Sequence, residues 1–165
     1  MLRILLLLFL LLGSVQNIQA EPINFQEFGF DLPKGWDGEE KMGFSSGDRN
    51  EYMLILGKKD AEGERYLATI SIYLLPNKPG KDAKTSAKLL AANQGDATEP
   101  VQEGVFWVFT GDPRDNVLKG IAQTKVAATK DNLLIIISKD HTENEAPKIL
   151  ESMKPLTERS QSIFK

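Results

Sequence analysis

Apolar and polar residues alternate along most of the chain after its first twenty residues, and this pattern predicts a protein built mainly of β-strands. The clearest strand spans residues 65–75, where Ala68 and Ile70 share one side and Thr69 lies on the other. A polar loop separates it from a second strand at 51–59, so the two predict an antiparallel hairpin. Further strands are predicted at residues 23–32, 42–46, 103–111, 117–129 and 133–138.

Two segments have the three- and four-residue spacing of an amphipathic helix instead. The first begins at Asp82 or Thr85 and ends near Gly95. The second begins after Asn144, because that cap places Pro147 in the first turn, where a missing N–H costs no helical hydrogen bond. The tail from about residue 157 is expected to fray.

The element order is therefore four strands, a helix, three strands and a helix. The stretches VFWVF at 105–109 and LLIII at 133–137 are apolar on both faces, which requires cover on both sides of the sheet. The pattern predicts one α+β domain over residues 21–165. Its mostly antiparallel sheet of about six or seven strands would carry helices packed on it as an α-β-α sandwich.

The first twenty residues have the layout of a secretory signal peptide. Arg3 supplies a positive charge, residues 4–12 are an unbroken apolar run, and Ala20 is a small residue at the expected cleavage point. The alternative, an uncleaved anchor or a buried helix, is disfavoured because the run is too short to span a bilayer. The sequence contains no cysteine, which excludes lipid attachment at cysteine and disulfides. We predict a secreted, periplasmic protein without a transmembrane segment after cleavage.

The charge balance of 20 Lys and Arg against 23 Asp and Glu argues against nucleic acid as a partner. Lys78, Lys81 and Lys84 nevertheless cluster in a loop rich in proline and glycine, and Arg114 lies in another turn. We predict that these four residues contact a protein partner or an anionic surface. The alternative is a loop whose lysines only keep the protein soluble.

Catalytic and metal-binding motifs are absent from the sequence. His141 is the only histidine, and no G-x-S-x-G motif accompanies it, so a hydrolase would need buried acids or an activated hydroxyl around this residue. The acidic stretches 37–40 and 47–51 would form a weak calcium-type cluster if their loops met, but neither has the calcium-loop pattern. The alternative is solvated turn acids. We expect no catalytic residue, no metal and no cofactor.

The stretch FDLPKGW, at residues 30–36, predicts a corner in the fold. Phe28 and Phe30 face inward from a strand that Pro33 ends, because proline cannot continue the ladder. A glycine then permits the turn, and Trp36 folds back to close the core. The alternative is an exposed Trp36 that contacts a ligand or partner.

A strand ending in this P-x-G-W corner resembles the start of PsbP-like domains. The closing helix A-x-x-I-L-x-S-M-K at residues 146–154 is also similar to theirs, so the resemblance covers roughly residues 24–155. It implies an α-β-α sandwich and a role in non-catalytic binding or assembly. Binding to a photosystem is not implied, because no residues match that role.

Two functions are compatible with these observations. The first is an exported, non-catalytic module of the cell envelope that binds a protein or supports an assembly. The alternative is a carrier of a small molecule or lipid, in which VFWVF and LLIII line an apolar pocket between sheet and helix. A large apolar cavity would favour the carrier, and a close-packed interior would favour the binding module.

Overall fold

The computed structural model describes residues 20–113, 120–141 and 144–165, whose strands form two antiparallel sheets accompanied by short helices. The elements in chain order are β1 (Glu21–Asn24), β2 (Phe28–Leu32), β3 (Trp36–Met42), β4 (Tyr52–Lys59), β5 (Tyr66–Pro76), α1 (Ala83–Ala92), β6 (Val101–Glu103), β7 (Phe106–Gly111), β8 (Ala122–Ala128), β9 (Asn132–Asp140), α2 (Glu145–Glu151), β10 (Lys154–Pro155), α3 (Glu158–Gln161) and a 3₁₀ helix (Ser162–Phe164). The prediction of an α+β protein with a mostly antiparallel sheet is confirmed.

The larger sheet has seven strands in the order β3-β4-β5-β9-β8-β7-β6, and the smaller has the order β1-β2-β10. The predicted hairpin is confirmed as β4 and β5, with Leu54 opposite Ile72. Strand β9 then pairs with β5 and places Ile136 opposite Ile72. The longest strands thus lie together at the centre of the sheet.

Four predicted strands differ from those observed. The one predicted at 117–129 is shorter, because β8 begins at Ala122, and residues 117–119 lie outside the described residues. The segment 23–32 is a hairpin of β1 and β2, closed by a hydrogen bond from the Phe25 N–H to the Phe28 carbonyl. The predicted strand at 42–46 is wrong, because Gly43 has a φ of +60° and the chain turns there, so that β3 precedes it. The predicted strand at 103–111 begins earlier, as β6, and turns at Gly104 before β7. From residue 20 onward, five strands therefore precede α1, one more than predicted.

The inner face of the seven-stranded sheet, on which Leu54, Ile72 and Ile136 lie, packs against the smaller sheet, α2 and the 3₁₀ helix. Phe28 of β2 is fully buried there, and Ala146 of α2 is also buried. Full burial of a side chain the size of leucine or phenylalanine stabilises the fold by about 1.5–3 kcal/mol. This interface is therefore the main source of stability.

The outer face of the same sheet is covered by α1 over β7 and β8. Ala87 and Ala91 of α1 pack against Phe109 and Val126, and small side chains allow the helix to lie close to the strands. Ala127, the next residue along β8, belongs to the inner core. Strand β8 is therefore buried on both faces at Val126 and Ala127.

The predicted corner at the start of β3 is confirmed. Trp36 is 6% exposed, its backbone N–H donates to the Pro33 carbonyl at 3.1 Å, and Gly35 has a φ of +89°. The indole Nε1 donates to Glu145 Oε2 at 2.8 Å. The alternative of an exposed Trp36 is wrong.

Asn144 is confirmed as the residue before α2, although its side chain does not cap the helix. Its φ is +55°, and the carboxylate of Asp140 instead accepts from the Ala146 N–H at 2.9 Å. A carboxylate at this position satisfies an N–H that has no partner within the helix. The predicted cap position is right, but the capping group comes from the end of β9.

The prediction of a frayed tail from residue 157 is wrong. Thr157 and Ser160 form a reciprocal capping box at the start of α3, and Ile163 is buried in the inner core. The motif T-x-x-S is a helix-start signal, but α3 has only four residues and gives little periodicity. The segment is ordered because its apolar end has a place in the core.

Polar contacts fasten this C-terminal segment to the sheets. Arg159 donates through Nη2 to the Leu74 carbonyl at 3.0 Å and through Nε to Asn132 Oδ1 at 2.9 Å. Its Nη1 lies 3.7 Å from a carboxylate oxygen of Glu27, which also accepts from the Thr157 hydroxyl. These buried ionic groups hold the two ends of the chain together.

Candidate functional site

The feature that stands out on the molecule is the edge strand β3 with the sheet surface beside it. In the described chain β3 pairs only with β4, so one side of its backbone faces away from the sheet. Asp37 and Glu39 lie on the outer face, opposite Gly57 and Ile55 of β4. Both acidic side chains are exposed.

An open groove of about 310 Å3 adjoins this edge on the outer face. We call it the outer groove; its lining residues are Asp37, Gly38, Glu39, Ile55, Gly57, Lys59, Tyr66 and Thr69. The ring of Tyr66 lies over Gly57, where a Cβ atom would overlap it. Glycine at this position of β4 therefore creates the space that the tyrosine fills.

The outer groove combines charged, aromatic and apolar groups. Among the described residues, the carboxylates of Asp37 and Glu39 have neither a salt bridge nor a hydrogen bond. Lys59 Nζ lies 5.3 Å from the centre of the Tyr66 ring, within the range of a cation–π interaction. The groove can therefore accommodate a cation near two free carboxylates and an aromatic face.

Two buried polar groups near this groove lack partners within the described residues. Thr69 is 1% exposed, and its Oγ1 makes no hydrogen bond. Lys139, directly opposite Thr69 on β9, is 3% exposed and its Nζ makes none either. Burial lowers the pKa of Lys139, and the charge of Asp112 partly opposes that shift. Such groups cost stability, and they are uncommon in protein interiors.

The predicted binding residues lie elsewhere, around the loop between β5 and α1. Lys78 Nζ is 3.2 Å from Asp48 Oδ2, and Lys84 Nζ lies 5.0 Å from the centre of the Trp107 ring. Lys81 is exposed, and Arg114 lies outside the described residues. Their role in binding stays a prediction.

This lysine loop is held in place by Asn77. The side-chain amide of Asn77 donates to the carbonyls of Lys81 and Thr129 at 2.8 and 2.7 Å. An open groove of about 350 Å3 beside it brings together Lys78 and Lys130. The structure thus adds Lys130 to the basic residues on this side.

The acidic stretches 37–40 and 47–51 do not come together as a calcium-type cluster. Residues 37–40 belong to β3, whereas Glu51 accepts hydrogen bonds from the backbone and hydroxyl of Ser46 in its own loop. Those hydrogen bonds lower the pKa of Glu51. Within the parts of the chain that the structure describes, no three His, Asp or Glu residues are grouped to hold a metal ion. His141 is exposed, and its backbone N–H donates to the Leu67 carbonyl at 3.2 Å.

The space between the sheet and α2 holds a groove of about 230 Å3. Phe106 and Ile136 from the two apolar stretches line it, but Lys125 and Glu151 line it as well. This mixed lining differs from the apolar pocket expected of a carrier.

The sequence does not identify the residues of the outer groove. Charged residues such as Asp37, Glu39 and Lys41 are common on exposed edge strands, but without apolar alternation they do not distinguish a strand from an acidic turn. Nothing in the sequence marks Thr69 as a groove residue, since it alternates normally within β5.

Comparisons of the chain with protein-family models, with curated proteins and with solved structures find no match. The resemblance to PsbP-like domains therefore stays an expectation based on the corner and the closing helix. In the three described stretches of chain, none of the helices has the length and apolar character needed to cross a membrane.

Proposed function

We propose that this chain is an exported, non-catalytic module that binds a protein partner through β3 and the outer groove. The observation that carries the proposal is the backbone edge of β3, seven residues long, which no other described strand pairs with, beside a groove whose two carboxylates have no partner among the described residues. An exposed edge strand can accept an added strand from another protein, with main-chain hydrogen bonds giving affinity and adjacent pockets giving specificity.

The remaining ionisable groups support a role without catalysis, since the buried ones, apart from Lys139, serve the fold. Glu145 accepts from Trp36 Nε1 and from Lys58 Nζ at 2.7 Å, and Glu27 contacts the C-terminal segment. A reaction centre would need such groups to converge on a site that a substrate can reach. They converge instead on the contacts that join α2 and the chain ends to the sheets.

The finer architecture belongs to the same proposal. We interpret the inner layer of α2 and α3, the seven-stranded sheet and the outer α1 as an α-β-α sandwich of the PsbP-like kind. The packing of α1 on β7 and β8 and of α2 on the inner core supports this interpretation. The carrier function has less support, because the groove beside α2 is partly polar.

Export through a signal peptide into the periplasm is part of the proposal, based on the apolar run at 4–12 and on Ala20. The partner is then a protein of the cell envelope. Mass spectrometry of the mature protein is expected to find an N-terminus at Glu21. A product that still begins at Met1 would contradict export by this route.

Photocrosslinking in the producing cell tests the binding surface. A photoreactive phenylalanine derivative replaces Lys41, on the outer side of β3, or Glu103, in the opposite edge strand β6. The position 41 variant is expected to give a discrete adduct with another protein, and the position 103 variant is not. Equal adducts from both positions, or none from position 41, would contradict binding at this edge.

A further inference from the structure

We propose that the segment bound at β3 is an extended, basic strand of the partner, with Lys or Arg side chains opposite Asp37 and Glu39. This inference rests on the proposed function and names the chemistry of the occupant. It follows from three features of the described residues: the unpaired edge, the arrangement of the free acids and the composition of the outer groove.

The edge of β3 is suited to an added strand. It is seven residues long, contains no proline, and pairs with β4 in unbroken register from Trp36 to Met42. The other edge of the seven-stranded sheet, β6, has only three residues. Short strands, prolines and bulges are common protections of sheet edges, and β3 has none of these three; its only protection of a known kind is its charged side chains, such as Glu40 and Lys41.

The free acids of β3 match the spacing of an added strand. Asp37 and Glu39 are two positions apart, so their Cα atoms are about 6.6 Å apart along one face. Alternate residues of a neighbouring strand have the same separation, and opposite charges directly across two strands attract. Lysine or arginine at alternate positions of the partner would thus face both carboxylates.

The same charges disfavour a second copy of this chain as the occupant. Five consecutive residues at the centre of β3, DGEEK, include three acids and a single lysine. Antiparallel pairing of two such strands about Glu39 would set each Asp37 opposite a Lys41, but it would place the two Glu39 side chains opposite each other, and each strand carries three negative charges against one positive charge. Charge complementarity therefore favours a basic segment from a different protein.

The outer groove provides room for the side chains of the added strand. Ile55 and the ring of Tyr66 line it beside the two carboxylates, and Lys59 Nζ lies 5.3 Å from the centre of that ring. The aliphatic part of a lysine or arginine side chain can pack on such a surface while its charged end reaches a carboxylate.

Fluorescence anisotropy with defined peptides tests the inference on the chain that begins at Glu21. The probe is a fluorescein-labelled peptide of nine residues, alternating valine and lysine, and its comparison peptide alternates valine and glutamate. A further valine–lysine peptide carries N-methyl groups on all nine residues. It keeps the side chains but has no N–H group left to pair with the backbone of β3 along either edge.

The protein variants separate local from general charge effects. Asp37→Asn combined with Glu39→Gln removes the two groove carboxylates. Glu99→Gln combined with Glu103→Gln removes two exposed acids from the opposite side of the sheet and gives the same change of net charge. Because two cross-strand ion pairs are lost, the first variant should bind the valine–lysine peptide about tenfold more weakly than the parent does. The control variant should bind within about twofold of the parent.

The inference is supported if the parent prefers the lysine peptide, the N-methylated peptide loses binding, and only the groove variant binds the lysine peptide more weakly. It is overturned if the N-methylated peptide binds as well as the unmodified one, if the glutamate peptide binds equally, or if both variants behave alike. It is also overturned if the lysine peptide does not bind the parent. The crosslink at position 41 does not depend on the partner's charge. The crosslinking experiment therefore tests binding at β3, and the peptide experiment tests separately whether the bound strand is basic.

Discussion

The two faces of the seven-stranded sheet are built in different ways. The inner face is covered by three elements: the smaller sheet, α2 and the C-terminal segment. Its central residues are fully buried. The outer face is covered by α1 at β7 and β8, while the surface at β3 to β5 carries the outer groove. Polar groups differ accordingly: Glu27 and Ser160 are bonded on the inner side, whereas Thr69 and Lys139 lack partners in the described chain.

This difference indicates which face of the sheet contributes most to stability. Buried polar groups without a hydrogen bond cost stability, and an exposed sheet edge leaves backbone groups unpaired. Both occur here on the same side of the same sheet. Substitutions on the two faces should therefore change the free energy of unfolding by different amounts and, at some positions, in opposite directions.

Phe28→Ala should have the largest effect. Phe28 is fully buried between the two sheets, and its truncation is expected to lower the free energy of unfolding by about 3–5 kcal/mol. The outer-face control Ile55→Ala removes a half-buried side chain and should cost about 1–2 kcal/mol. Urea denaturation at neutral pH measures both. Equal losses would mean that the outer face is as closely packed as the inner face.

Ile163→Ala tests the closure of the inner face by the C-terminal segment. Ile163 is 6% exposed, so its truncation is expected to cost about 2–4 kcal/mol. The control Gln161→Ala, at an exposed position of α3, should stay within about 0.5 kcal/mol of the parent. If Ile163→Ala left the free energy of unfolding unchanged, the tail would be frayed, as the sequence predicts.

Thr69→Val should stabilise the protein, unlike the previous two. It removes a buried hydroxyl that has no partner in the described residues, and the expected gain is about 1 kcal/mol. The same change at Thr157, whose hydroxyl caps α3 and contacts Glu27, should cost about 1 kcal/mol. Thermal denaturation of the two variants gives the sign directly. Destabilisation by Thr69→Val would indicate that its hydroxyl is satisfied in solution.

Glu145→Gln should have a small, pH-dependent effect. Burial raises the pKa of Glu145, but the hydrogen bonds from Lys58 and Trp36 outweigh it and hold the pKa below the ordinary value of 4.5. The carboxylate therefore stabilises the fold fully above pH 4.5 and loses this contribution as the pH falls through its lower, folded-state pKa.

At neutral pH the free energy of unfolding of the parent should be about 1 kcal/mol higher than that of the Glu145→Gln variant, and this difference should become smaller in acid. Urea denaturation between about pH 7 and pH 3 follows the difference. The free energy of unfolding of the exposed control Glu99→Gln should differ from that of the parent by the same amount at every pH. A gap of constant size down to pH 3 would mean that the ion pair with Lys58 adds nothing.

Much of the inner face could be predicted because it depends on local patterns. The alternation in β4 and β5, the corner at Trp36 and the stripe of Ala146 and Ile149 each reflect a period of two or of three to four residues. Each was found where expected, apart from its exact ends. Strand β3 could not be found in this way, because its exposed residues 37–41 show no apolar alternation, and the turn after it was mistaken for a strand.

The outer groove could not be predicted at all. It depends on Gly57 making room for Tyr66, and on the register that sets Asp37 and Glu39 beside uncharged residues of β4. Register joins residues about twenty positions apart, and no local pattern reports it.

By itself, the sequence determined the α+β class, the central antiparallel hairpin, the aromatic corner and the absence of cysteine chemistry, because composition and short-range periodicity govern these features. Only the tertiary structure decided that the chain divides into two sheets, that the tail closes the inner core and that β3 forms a free edge. These depend on which distant segments bury apolar surface together. That competition is settled by the packing of the whole chain.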